Sequence, residues 1–218
     1  MNRHYSIAGR EQTPREEVAN SVSHGIGMFA ALIGAFFLIK HAVMLGDPAF
    51  IVGCSVFAAT MVMLYMASSL YHALPPGSNK AVFLVIEHSG IFLLIAGTYT
   101  PLTLGVLYGP WGWLLLGIVW GLAFIGITLK ILLKSHHHIL FTSLYLLMGW
   151  TIVIAIEPLM ANISQTGLFL LVAGGLSYTV GVIFFATDSA LKYGHFVWHL
   201  FVIGGTTCHY FAVLGYKG

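Results

Sequence analysis

Charge is what this sequence has least of. Among 218 residues, 9 are Lys or Arg and 7 are Asp or Glu, 7% in all. A soluble domain carries roughly 25%. A chain this poor in charge needs a solvent other than water. Its 58% hydrophobic residues and mean hydropathy of +0.90 identify that solvent as the lipid bilayer. Other absences narrow the reading. No segments of alternating polarity at β-barrel length occur, which excludes a transmembrane barrel. No basic patch interleaved with aromatics occurs, which excludes nucleic acid as a partner. Cysteine is nearly absent: Cys54 and Cys208 both fall in apolar runs and read as packing residues, not as a disulfide or metal pair. Linkers, low-complexity tracts and internal repeats are also missing, so no second domain is expected.

What is present is a series of apolar runs. A span needs about 20 apolar residues, and runs of that order fall at 22–44, 50–73, 83–106, 111–133, 139–160, 165–187 and 196–216. The expectation is an all-α integral membrane protein. Residues 1–20 would form a polar tail with no signal-peptide core, and residues 21–218 a single bundle of seven transmembrane helices. Proline punctuates the pattern. Pro75-Pro76-Gly77 ends the second helix, Thr100-Pro101 kinks the third, Gly109-Pro110 separates the third from the fourth, and Glu157-Pro158 marks the outer end of the fifth.

Positive charge sets the orientation. With the N-terminus in the cytoplasm, the inner side holds Arg3, Arg10, Arg15, Lys80, Lys130, Lys134 and Lys192, and the outer side only Lys40 and Lys217. The N-terminus is therefore expected inside and the C-terminus outside. His136-His137-His138 falls in an inner loop and reads as a polar basic turn.

Ionisable residues within the bilayer are costly and mark function. After the tail the only acids are Asp47, Glu87, Glu157 and Asp188. Asp47, Glu157 and Asp188 fall at helix ends within reach of water, whereas Glu87 sits between Val85 and Ile86. With alternating helix directions, His72, Glu87, His195 and His199 all come to the inner side, together with Asn20, Ser23 and His24. His195 and His199 are spaced i,i+4, which stacks both rings on one helix face. His72 from another helix supplies a third nitrogen, and Ser68 lies one turn before it. Three His ligands with an open fourth position describe a catalytic zinc, beside which Glu87 would hold or deprotonate water. The residue types leave iron and manganese open. The bland alternative makes the same histidines helix-to-helix hydrogen bonders. That reading is preferred for His4, His41 and His88, and His209 is assigned to packing or to support of the site.

The blocks "EEVANSVSHGIG", "MASSLYHALP", "EHSGIFLLIAGTYTPLTLG" and "GHFVWHLFVIGGTTCHYFAV" resemble, in order and from Glu17 to about Val213, the bacterial hemolysin III family. That family is grouped with the progestin and adiponectin receptors and, more distantly, with alkaline ceramidases. The resemblance implies a seven-helix fold in a bacterial cytoplasmic (inner) membrane, with a cytosolic N-terminus and a zinc ion near the cytoplasmic side. Ser68 to His72 matches its Ser-x-x-x-His motif, and His195 to His199 its His-x-x-x-His motif. Glu17, Asn20, Ser23 and His24 match its first-helix pattern. Glu87 stands where the family usually has aspartate, a departure that bears on the geometry of catalysis. Three functions follow as expectations: a zinc-dependent hydrolase of a lipid amide or ester, with Glu87 and Ser68 as catalytic groups and His72, His195 and His199 as ligands; a non-enzymatic sensor or regulator of membrane state with structural zinc; and a cytolysin. Membrane lipid is the environment in all three, and the substrate in the first.

Overall fold

The chain folds, in a computed structural model that describes residues 11–133 and 138–218, into seven helices long and apolar enough to cross a membrane. These are α1 (Pro14–Leu45), α2 (Pro48–Ala73), α3 (Ser78–Val106), α4 (Pro110–Leu132), α5 (Ile139–Asn162), α6 (Gln165–Ala186) and α7 (Gly194–Leu214). Among the described residues no strand occurs. The readings placed on Arg3, His4, Arg10, Lys134, His136 and His137, and on the side chain of His138, lie outside the described residues.

The first helix begins earlier than its apolar run. Composition predicts a tail through residue 20, but α1 starts at Pro14. Thr13 and Glu16 form a capping box, in which the backbone N–H of Glu16 donates to Thr13 Oγ1 at 3.4 Å and that of Thr13 donates to Glu16 Oε2 at 2.9 Å. Pro14 follows at the first helical position, where its missing N–H costs nothing. The extra turns make Glu16, Glu17 and Asn20 helical and bury Glu16 and Asn20. A left-handed Gly46 (φ +77°) closes α1, and Asp47 caps α2 through the N–H of Ala49 at 2.9 Å.

Two helices change their winding. After Pro101 the α-helical part of α3 gives way to a π-helical turn, Leu102–Val106, so the kink expected at Thr100-Pro101 takes the form of a widened last turn. In α5 a 3₁₀ segment, Thr151–Ala155, interrupts the helix. The Tyr99 hydroxyl holds that break open: it accepts from the backbone N–H of Ile152 at 2.8 Å and donates to the carbonyl of Gly149 at 2.8 Å. The α-helix resumes at Ile156 and continues through Pro158 to Asn162. Glu157-Pro158 is therefore not the end of the helix, because Pro158 falls in a new first turn that needs no N–H from it.

The core is organised around α2, whose Phe50, Cys54, Phe57 and Met61 are buried against α1, α3 and the last turn of α3. A second cluster, Phe92, Val119, Phe141 and Met148, joins α3, α4 and α5. This packing brings the starts of α1, α3 and α7 to the end of α2. Close approach of α2 and α3 requires a glycine: a Cβ on Gly53 would lie 2.6 Å from the Cα of Pro101. Gly121, by contrast, has open space around its Cα. Gly53→Leu is expected to destabilise the detergent-solubilised protein by ~1–3 kcal/mol through overpacking, and Gly121→Ala to leave it unchanged or more stable. Thermal unfolding followed by circular dichroism checks both.

Candidate metal centre

Four side chains from three helices converge at this end of the bundle. His72 ends α2, Glu87 lies in the early turns of α3, and His195 and His199 lie in the first turns of α7. One ligand atom from each lies within 4.8 Å of all the others. The i,i+4 pair on α7 does stack on one face, with ring centroids 4.8 Å apart, and His72 stands 5.1 Å from each of them.

The hydrogen bonds around the rings fix which nitrogen each one presents. His72 Nδ1 lies 2.7 Å from Glu17 Oε2. His195 Nδ1 lies 3.0 Å from Asp188 Oδ2. His199 Nδ1 lies 3.2 Å from the carbonyl oxygen of Asn20 and 3.0 Å from Ser23 Oγ. A carboxylate or carbonyl oxygen only accepts, so in each ring Nδ1 carries the proton and donates it outward. Nε2 of each ring is then left with a free lone pair. Nε2 of His72 and of His195 are buried and have no hydrogen-bond partner among the described residues. Bare imidazole nitrogens pointed at one spot, each ring braced from behind, are the arrangement metal-binding histidines need. The donor set of imidazole nitrogens and a carboxylate suits a borderline divalent cation. The residues present therefore fit a metal ion.

Glu87 reaches into the same group. Its Oε1 is 3.6 Å from His72 Nε2 and accepts a hydrogen bond from the Ser68 hydroxyl at 2.6 Å. The glutamate side chain, a methylene longer than the aspartate usual in the resembled family, brings its carboxylate into the histidine cluster itself. Ser68 is fully buried and touches the cluster through Glu87.

Some contributors were visible in the sequence only as a pattern or not at all. Glu17 was legible as part of the first-helix motif but not as the brace of His72. Its other oxygen binds Lys80 Nζ at 2.7 Å, which makes a chain Lys80–Glu17–His72. Asp188, read from sequence as a water-exposed helix end, braces His195 instead; its place seven residues before His195 was the available signal. Glu16 accepts the backbone N–H of Tyr193 at 2.8 Å and so ties the start of α7 to the start of α1. Tyr193 adopts φ 61°, a left-handed conformation, at the N-cap of α7. His24 is buried and stacks flat on His199, with centroids 3.6 Å apart and planes at 4°. A parallel ring lies alongside its neighbour, so His24 packs against the ligand group without joining it. His41 and His88 are hydrogen bonders as expected. His41 Nε2 donates to the carbonyl of Tyr216 at 2.8 Å, and His88 Nδ1 to that of Leu84 at 2.7 Å.

The cluster borders a chamber. A cavity of about 100 Å³ lies between the helices, with Glu87, His24 and His199 at one end and His209 farther along α7. Its walls are mostly apolar, among them Leu64, Ile91, Leu94 and Val202. Trp150, 38% exposed on the outside of the bundle, also lines it where α5 meets α6. There the Trp150 indole N–H donates to Thr179 Oγ1 at 3.1 Å across the two helices.

Comparison with known proteins agrees with this architecture. The family model described as Haemolysin-III related matches residues 12–210. The chain is 42% identical over 205 residues to Hemolysin-3 of Bacillus cereus, covering 94% of this chain and 93% of that protein. It is 42% identical over 204 residues to a Hemolysin-3 homolog of Bacillus subtilis (strain 168), covering 94% and 95%. It is 26% identical over 226 residues to the human Monocyte to macrophage differentiation factor, covering 99% and 91%. No solved structure matches. A match that begins beside the cap of α1 and ends in the last turns of α7 takes in every helix and every residue of the cluster, and the chain is a multi-pass membrane protein of the haemolysin-III related family.

Proposed function

We propose that the chain is a zinc-dependent hydrolase of a lipid amide or ester, working in the cytoplasmic membrane with its metal site on the cytoplasmic side. The observation that carries this reading is the position of the cluster. Glu87 and His199 form part of the wall of a mostly apolar cavity that extends between the helices to the partly exposed Trp150. A site serving only to tie helices together has no need of such a cavity.

His72, His195 and His199 would hold the ion, each ring kept in its tautomer by Glu17, Asp188 or the Asn20 carbonyl. A zinc ion there supplies a Lewis acid that polarises a carbonyl and makes water acidic enough to ionise near neutral pH. Glu87 is the general base. Ser68 donates to its Oε1, which steadies the carboxylate and leaves Oε2 to take a proton from water at the chamber end. The Ser68 proton is committed to Glu87, so Ser68 acts as a positioning residue and not as an oxyanion donor. The apolar walls hold the acyl chain and exclude bulk water from the reacting carbonyl. Entry beside Trp150 suits a substrate that arrives from the bilayer.

A sensor with structural zinc is supported by a different observation. The cluster and its braces draw on α1, α2, α3, α7 and the α6–α7 turn at once, so a bound ion would also lock the bundle together. A cytolytic function rests only on the name of the Bacillus relatives.

Three outcomes are expected. The full chain, purified in detergent without an affinity tag and with His136 to His138 replaced to remove adventitious binding, carries about one zinc per chain by mass spectrometry. His72→Ala/His199→Ala loses it, and Asp188→Asn weakens binding ~10–100-fold. A folded protein with no stoichiometric metal sinks the hydrolase. Given a panel of N-acyl and ester lipids, the protein releases fatty acid, whereas Glu87→Gln retains the metal and loses ~10²–10⁴-fold in rate; an undiminished rate removes Glu87 as base. Reporter fusions after Gly218 report from the outer side of the membrane, because Lys80, Lys130 and Lys192 lie toward the cluster end and Lys40 and Lys217 toward the other. A cytoplasmic reporter signal inverts the topology.

A further inference from the structure

Several glycines of this bundle are required by a neighbour, and Gly149 is not. At Gly53, Gly97 and Gly126 a Cβ would collide with an atom of the adjacent helix. At Gly149, in α5, a Cβ would meet no described atom within 4 Å, and the backbone is not left-handed. Its carbonyl accepts from the Tyr99 hydroxyl at 2.8 Å, a bond that any residue's backbone would make. Glycine inside a helix is costly relative to alanine. Neither packing nor backbone conformation accounts for it here.

Its place on the helix shows what the open space is. At 100° per residue, Gly149 lies about 40° from Tyr145 and about 60° from Leu146 around α5, between two residues that line the cavity. The exposed Leu140 and Leu147 lie about 180° and about 160° away, on the opposite side. Gly149 is nonetheless exposed, and it lines the cavity itself. A residue on the inner face of a helix, exposed and with nothing where its Cβ would stand, is exposed into the cavity. Trp150, next in the chain, reaches across to α6, where a Cβ on Gly175 would stand 3.7 Å from its ring.

The polar groups on this stretch of wall are already paired. The Tyr99 hydroxyl accepts from the Ile152 N–H and donates to the Gly149 carbonyl. Thr179 donates to the Gly175 carbonyl at 2.7 Å and accepts the Trp150 indole N–H at 3.1 Å. No group here is left to recognise a hydrogen-bonding ligand, so the occupant that fits is hydrocarbon. We infer that Gly149 is the specificity-determining residue of the cavity: the space its side chain would fill is ligand space, taken by an alkyl segment of the lipid. This rests on the reading of the cavity as the place where the hydrolase holds its lipid.

The test titrates dodecanoate onto the zinc-loaded full chain in a steroid-based detergent, which brings no alkyl chain of its own, and reads binding by native mass spectrometry. Zinc content and thermal unfolding are measured on the same samples. Gly149→Ala is expected to unfold at a higher temperature, to keep its zinc and to bind dodecanoate several-fold more weakly. Gly149→Leu is expected to weaken binding by ~10-fold or more. Gly121→Leu, at a glycine with equally open space on α4 and outside the cavity lining, is expected to bind as the unaltered protein does. A gain in stability with a loss of binding is a combination that a purely structural glycine would not produce. Unchanged affinity in Gly149→Ala and Gly149→Leu overturns the inference and leaves the cavity reading standing. A less stable Gly149→Ala makes the glycine structural and also overturns it, as does equal weakening in Gly121→Leu. No binding of dodecanoate to the unaltered protein overturns the cavity reading together with the inference. Where Gly149→Leu fails to fold, Gly149→Ala decides.

Discussion

A buried imidazole N–H within a bilayer needs an acceptor from the protein, and the cluster end of this bundle is arranged around that need. Three rings each donate Nδ1–H to an oxygen brought from elsewhere in the chain: Glu17 from α1, Asp188 from the turn before α7, and the Asn20 carbonyl from α1. Two of the three braces belong to the first turns of α1. The capping box at Thr13 therefore matters well beyond that helix, since without it those turns would not be there to hold His72 and His199. Glu16 adds a direct tie to α7 by accepting the Tyr193 N–H. The first and last helices are thus joined at the point where the His/Glu cluster is assembled.

The same polar economy governs the rest of the interior. Many interior side-chain donors give their proton to a carbonyl or carboxylate nearby, as with Tyr99 across the 3₁₀ break of α5 and Ser68 onto Glu87. What remains unmatched is concentrated around the ligand group and the chamber: Nε2 of His72 and His195, both nitrogens of His24, and Nδ1 of His209. These are lone pairs or donors with nowhere to go inside the protein. Lys130 is a further unmatched group, packed with α5: it is fully buried, its amine lies 4.6 Å from the ring centroid of Phe141, and it has no hydrogen-bond partner among the described residues.

A metal at this cluster would be structural and chemical at once. The ligands come from three helices, so the ion would brace the bundle, and one side of the group borders a mostly apolar cavity. Relatives spread between Bacillus and mammals match over nearly the whole chain, which fits a function built into the shared bundle and not into an appended part.

The sequence alone determined the number of spans and their class, because seven apolar runs separated by prolines, glycines and polar turns have no stable alternative in lipid. It also determined which residues meet at the cluster. Alternating helix directions put His72, Glu87, His195 and His199 at one depth, and the i,i+4 spacing put two rings on one face. It misjudged the start of α1, since composition registers apolarity and not caps, and it read Asp188 as solvated because a residue at a helix end has no partner until the next helix folds back. Only the tertiary structure decided the tautomers, the stacking of His24 on His199, and the lone acceptor on His209. Each depends on which oxygen from a distant segment arrives within about 3 Å, and no local pattern of residue types carries that distance.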